Sequence, residues 1–203
     1  GLGISEEYIA KQLFRRQQGH GRGGRMKIEK DRAEIYTGVR HGAPLGSPIG
    51  LILPNKDWVN WTKKMSVEPV DEEIKRVILP RPGHADLAGV QKFDFDDIRN
   101  VLERSSARET AMRVALASIC RKLLREVGIE VGSRVTQIYN VKDEAPMPEG
   151  ISPEALNELA DKSVVRCLDK NAETEMINAI DKAKAEGDSV GGIFEIIATG
   201  LPY

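Results

Sequence analysis

Apolar residues first recur at helical spacing as Ile9, Leu13 and Phe14, and Ser5 stands where an N-cap belongs. The pattern predicts a helix over residues 5–17 with those three side chains facing inward. Glycines at 19, 21, 23 and 24 then alternate with His20, Arg22 and Arg25, which breaks the helix into a loop studded with guanidinium groups. Short strands are predicted at 26–29, 33–36 and 49–53, with Pro44, Gly46 and Pro48 turning the chain before the last. Residues 71–77 read as a short helix. Pro80, Pro82 and Gly83 then impose an irregular loop that carries Arg81 and His84. The clearest element spans 107–127, where Met112, Leu116, Ile119, Leu123 and Val127 form one apolar stripe, widened by Ala115, Cys120 and Leu124 and closed by Gly128. It predicts a long core helix. Strands follow at 129–139 and 191–199, and helices at 152–160 and 172–186. Strands and helices are mixed without the regular interleaving of a doubly wound sheet, so the expected class is α+β, with residues 1–203 forming a single domain.

With 203 residues and 40% hydrophobic content, the chain can bury a substantial core. A formal net charge of −1 gives the molecule as a whole no electrostatic reason to seek nucleic acid or an anionic membrane. Locally the balance differs. Residues 11–30 carry seven basic side chains against one acid, Glu29, a cationic segment able to hold an anion. Residues 141–190 carry 12 acids and 6 bases, an ordinary solvated surface. Cys120 and Cys167 lie far apart in no metal-ligand spacing, so free buried thiols in a reducing cytosol are expected. No apolar run approaches the roughly 18 residues of a membrane span, and no leader opens the chain. A soluble, intracellular protein with no membrane partner is expected. The Gly1-Leu2-Gly3 opening and the Gly200-Leu201-Pro202-Tyr203 close read as the ends of an excerpt from a longer chain.

Candidate chemistry concentrates in three places. Ser106 and Glu109 have the spacing of a capping box at the start of the long helix. The same helix start, flanked by Arg104 and Arg108, also suits a phosphate, with Ser105 free to meet a ligand while Ser106 caps. The arginine loop from Arg15 to Arg25 is open to three readings: a solvated basic surface, a contact for RNA or another single strand, or a pocket for a small polyanion. Single-strand sites usually add aromatic platforms, and Phe14 is the only Phe, Tyr or Trp from Ala10 to Lys30. Of the three histidines, His20 lies among arginines, which disfavours its charged form, and His41 follows Arg40 in a turn without an evident partner. His84 sits in the rigid loop between Arg81 and Asp86, where a fixed imidazole can exchange a proton. No dinucleotide or phosphate-loop motif occurs, and no cluster suggests a metal.

These segments together resemble the chorismate synthase family. Arg15-Arg16-Gln17-Gln18-Gly19-His20-Gly21-Arg22-Gly23-Gly24-Arg25 resembles its first arginine-rich signature, Arg81-Pro82-Gly83-His84-Ala85-Asp86-Leu87 its second, and Asn100-Val101-Leu102-Glu103-Arg104-Ser105-Ser106-Ala107-Arg108-Glu109-Thr110 its third. Their order along the chain matches as well. Shorter echoes occur at Asn55-Lys56-Asp57 and Gly187-Asp188-Ser189-Val190-Gly191-Gly192.

The resemblance implies an α+β sandwich of helices between antiparallel sheets, incomplete in this chain, and homotetramers of the full-length protein. It implies a cytoplasmic lyase that converts 5-enolpyruvylshikimate 3-phosphate to chorismate by anti-1,4 elimination of phosphate, using reduced FMN with NADPH as a possible reductant. By matching position, Arg16, Arg22, Arg25, Arg81 and Arg108 would hold the substrate. Arg104, Ser105 and Ser106 would contact FMN, and His84 would protonate or hydrogen-bond the reduced flavin. The family's upstream Gly-Glu-Ser-His-Gly segment and its later flavin and substrate contacts do not occur in this sequence. The chain is therefore expected to hold part of an active site. The competing expectations are an RNA- or polyanion-binding module and a fragment that only scaffolds.

Overall fold

The computed structural model describes residues 2–22 and 30–202. Arg25 and the strand expected at 26–29 lie outside them. Helix α1 (Glu6–Gln17) starts where the Ser5 hydroxyl accepts a hydrogen bond from the Tyr8 amide at 3.3 Å. Glu6 and Glu7 then face the positive end of the helix dipole, and Arg15 and Arg16 the negative end. Ile9 and Leu13 are fully buried, but Phe14 is 60% exposed. One residue beyond Leu13 is a rotation of about 100°, enough to leave the inner stripe.

Strand β1 (Glu34–Thr37) pairs antiparallel with β4 (Gly50–Ile52), and between them β2 (Val39–Arg40) pairs with β3 (Ala43–Pro44). His41 and Gly42 make that inner hairpin turn with φ of 50° and 78°, the left-handed pair that a two-residue turn matching strand twist requires.

The long helix, α4, runs Ala107–Glu126, with Gly128 at φ 81° beyond its end. Its buried face matches the expected one only in part, at Met112, Ala115 and Ile119. Ala111, Ala115 and Ser118 are buried, whereas Leu116, Leu123 and Val127 are 46%, 53% and 65% exposed. Small side chains let α1 approach closely: Ala111 and Ala115 share a core cluster with Ile9, Leu13 and Ala33, against which Ile35, Leu51, Leu53, Met112 and Ile119 pack. The buried Ser118 hydroxyl is satisfied by donating to Ala115 O at 2.6 Å. Cys120 falls on the exposed side of the helix, contrary to expectation, while Cys167 is buried as a free thiol.

A second sheet has the order β6 (Val141–Lys142), β5 (Glu130–Ile138), β7 (Gly192–Thr199), all antiparallel. Helix α5 (Pro153–Ala160) rides directly on β5. A Cβ at Gly132 would stand 2.5 Å from Pro153 O, and Asn157 knits the two by donating to Val131 O at 3.0 Å and accepting from Ser133 N at 3.2 Å. Helix α6 (Lys170–Ala185) packs Met176 and Ala172 with Val165 and Cys167 against Ile138 and Val141. Arg121 of α4 donates to Val131 O at 2.9 Å, tying the helical layer to this sheet. The class is α+β, helices packed with small antiparallel sheets.

Between the two halves lie two helices that periodicity does not announce, α2 (Asp86–Phe93) and α3 (Arg99–Ser105). The helix expected at 71–77 does not form. Its backbone bonds outward instead: Lys75 O accepts from the Arg99 guanidinium at 2.7 Å, and Val77 O from Ile98 N at 2.9 Å. A seven-residue helix has little capacity to nucleate, and α3 offers these groups other partners.

Candidate active site

The loop entering α2 is organised by one carboxylate. Asp86, the first residue of α2, has no exposed surface. Its Oδ2 accepts from the Arg81 amide and from Arg81 Nε, each at 2.9 Å, and its Oδ1 accepts from a terminal nitrogen of the same guanidinium at 2.9 Å. Gly83, at φ 68°, turns the loop so that His84 Nδ1 comes to 3.0 Å from Asp86 Oδ1 and 3.0 Å from the Arg81 guanidinium. Hydrogen bonding from the Arg81 side chain holds the Asp86 carboxyl well below the usual carboxylate range, although burial opposes it. The paired carboxylate in turn raises Arg81 above the ordinary guanidinium value. Arg81 keeps half its side chain in contact with solvent and His84 about a third, 50% and 30%, so both remain open to a ligand.

α2 leads from this cluster to α3. A Cβ at Gly89 would overlap both methyl groups of Val101, so glycine there lets the two helices touch. Arg104 of α3 lies over the Phe93 ring of α2, 5.1 Å from its centroid. Ser106 ends α3 and caps α4, its hydroxyl accepting from Arg108 N at 3.1 Å. The reciprocal half of the expected capping box does not form. Glu109 binds Arg113 Nε at 2.7 and 2.8 Å, an i,i+4 pair that satisfies its carboxylate locally. The Ser105 hydroxyl donates to Val101 O at 2.9 Å, which spends its hydrogen and leaves its oxygen as an acceptor. The exposed Arg104 guanidinium, the Ser106 hydroxyl hydrogen and the start of a 20-residue helix make a donor set that fits a phosphate-bearing flavin, with Ser105 Oγ left as an acceptor.

A second cluster joins the end of α1 to the start of α4. Asp31, almost fully buried, pairs with Arg108 and lies 3.9 Å from Arg16, whose guanidinium also donates to the Thr110 hydroxyl at 2.9 Å. Arg108 donates in addition to Pro54 O at 2.6 Å. Burial, and then the nearby charge of Arg16, push Arg22 below its ordinary range. Thus Arg16, Arg22 and Arg108 come together around one end of the helix pair, Arg81 and His84 around Asp86, and Arg104, Ser105 and Ser106 at the α3–α4 junction. Arg25 lies outside the described residues.

His20 departs from its expected surroundings. Its Nε2 stands 2.7 Å from the Asp181 carboxylate of α6, and its amide donates to Val164 O at 3.0 Å. Arg15 likewise turns to Asp161, at 2.7 Å, rather than outward. These inward bonds remove much of the free basic surface that a nucleic-acid contact would use. The two organising acids, Asp31 and Asp86, were not assigned from the sequence. Asp31 stands between Lys30 and Arg32, a signal that points to it; Asp86 follows Arg81 by five residues and His84 by two across a Pro-Gly turn, and only the fold pairs them. Among the described residues no helix is long and apolar enough to cross a membrane.

Comparison with known proteins agrees with the motifs. The family model described as chorismate synthase matches residues 1–203. A chorismate synthase of Enterococcus faecalis is 52% identical over 205 residues, covering 100% of this chain and 52% of the relative. Chorismate synthase 2 of Bacillus cereus is 53% identical over 207 residues, covering 100% of this chain and 53% of the relative. A crystal structure of chorismate synthase superposes with a TM-score of 0.74 at 36% identity, over 99% of this chain and 51% of that one. The chain spans about half the length of the curated relatives it matches, and nothing in the comparisons supports the RNA-binding alternative. By sequence and by structure alike, the chain belongs to the chorismate synthase family.

Proposed function

We propose that this chain supplies the arginine-lined half of a chorismate synthase active site, in a cytoplasmic homotetramer that eliminates phosphate from 5-enolpyruvylshikimate 3-phosphate. The observation that carries this reading is the family match over every residue of the chain. The substrate bears two carboxylates and a phosphate, and guanidinium groups grip such oxyanions in pairs. Arg16, Arg22, Arg25, Arg81 and Arg108 take that role. Arg16, Arg81 and Arg108 are anchored by Asp31 or Asp86, which supports placement before the substrate arrives.

In the 1,4-elimination the C–O bond breaks with its electron pair going to phosphate, the ring hydrogen leaves as a proton to a base of the full-length site, its electron pair forms one double bond, and the existing ring double bond shifts to the carbon that bore the phosphate. Arg104, Ser105 and Ser106 are the residues that would hold FMN. Reduced FMN, when bound, supplies electron density transiently to a reaction with no net redox change, and NADPH is its candidate reductant. His84 would hold or release a proton for the bound flavin, with Arg81 beside it to balance developing negative charge. The test is an anaerobic assay of the full-length protein with reduced FMN and the substrate, followed by chorismate absorbance. Chorismate should form in proportion to enzyme; its absence at every enzyme concentration would sink the reading.

A further inference from the structure

We propose that Asp86 is a positioning residue that pins the proton of neutral His84 on Nδ1 and so confines proton exchange to Nε2. The inference rests on the role given to His84 above, and it concerns a residue that carries no assigned part in the reaction.

Three polar atoms form a near-equilateral triangle: Asp86 Oδ1, His84 Nδ1 and a terminal nitrogen of Arg81, at 2.9, 3.0 and 3.0 Å. Arg81 already points one hydrogen of that nitrogen at Oδ1, as the second arm of a bidentate pair whose first arm is Nε to Oδ2. With a corner angle of about 60°, the same nitrogen cannot direct its other hydrogen along the line to Nδ1 as well, since linear geometry is strongly preferred. The arrangement that satisfies all three atoms has Nδ1–H donating to Oδ1, which has a second lone pair to receive it. The carboxylate is wholly buried and the imidazole is not, so the acid is the fixed partner and the ring the oriented one. A histidine whose one nitrogen is held by a carboxylate presents the other in a single defined state, as a lone pair when neutral and as N–H when protonated. A proton leaving Nε2 leaves its electron pair on that nitrogen, and Nδ1 keeps its own hydrogen throughout.

Two measurements on the full-length protein test this. Selective 15N-histidine labelling, with H84A to assign the resonance, reads the tautomer of neutral His84 directly and needs no activity. The Nδ1–H form is expected, and the Nε2–H form would overturn the proposal even if the enzyme makes chorismate. D86N is then compared in the wild-type and H84A backgrounds. Because Asp86 also anchors Arg81, both backgrounds lose activity, but the part acting through His84 should make the fall in kcat at least about tenfold larger in the first than in the second, in line with the size of general acid–base contributions. An equal fold-loss in both backgrounds would confine Asp86 to anchoring Arg81 and the loop and overturn the proposal. If D86N does not fold, the wild-type tautomer alone decides. Failure of the wild type to form chorismate would refute the functional reading while leaving the tautomer result standing.

Discussion

Asp86 couples the stability of the loop to pH in a definite direction. Its carboxyl is held below the ordinary range in the fold, chiefly by the Arg81 side chain. A depressed acid adds stability that is complete above the unfolded pKa of roughly 4 and is lost as pH falls below it toward the lower folded value. At neutral pH the full-length wild type should therefore resist urea better than D86N, and the gap should narrow steadily below about pH 4. A constant gap across that range would mean that the carboxylate charge is not what binds the loop. At His84 the expectation is catalytic rather than structural. H84A should lower turnover more than about tenfold with the thermal midpoint unchanged, within the ~10²–10⁴ range of general acid–base effects. Equal turnover would reassign the ring to structure. Neither acid that fixes these basic groups was assigned from composition, because a charge count registers the cationic run and not which carboxylate each arginine turns toward.

At the scale of elements, two glycines separate stability from function. Gly89 lets α2 meet α3, and those helices connect the His84 loop to Arg104. Gly132 lets α5 lie on β5, in a separate part of the molecule. Alanine at either position forces packed groups apart and should cost about 1–3 kcal/mol in urea unfolding. Only Gly89→Ala should also weaken FMN binding, measured by titration of the full-length protein. Loss of flavin affinity in Gly132→Ala as well would contradict the division. The elements that hydrophobic period announces, α1, α4, α5, α6, β5 and β7, form where the pattern places them, within a residue or two at their ends. Helices α2 and α3 were missed because they are short, and their ends are set by local polar contacts such as Asp97 accepting from Arg99 N at 2.9 Å. The expected stripe of α4 overlaps the buried face at Met112, Ala115 and Ile119 but extends too far toward Leu116, Leu123 and Val127, for a related reason. Periodicity favours large apolar residues, whereas close packing against α1 selects the small Ala111 and Ala115.

At the scale of the whole molecule, the chain covers about half of each relative's length, and the proposed tetramer concerns the full-length protein. Sedimentation of that protein should give four times the monomer mass, and a monomer at working concentration would remove the assembly from the proposal. Oligonucleotide titration should show no steeply salt-dependent binding, because Arg15, Arg16 and His20 are engaged with Asp161, Thr110 and Asp181. By itself the sequence determined the class, the long helices, the central strands and the three signatures that identify the family. Those features depend on local periodicity and on the identity of consecutive residues. Only the tertiary structure decided which arginines share Asp31, that Asp86 joins Arg81 to His84, and that Leu116, Leu123 and Val127 of α4 stay exposed. Arg16 and Asp31, or Arg108 and Pro54, are far apart in sequence, so their contacts follow from how packed elements bring backbone and charge together.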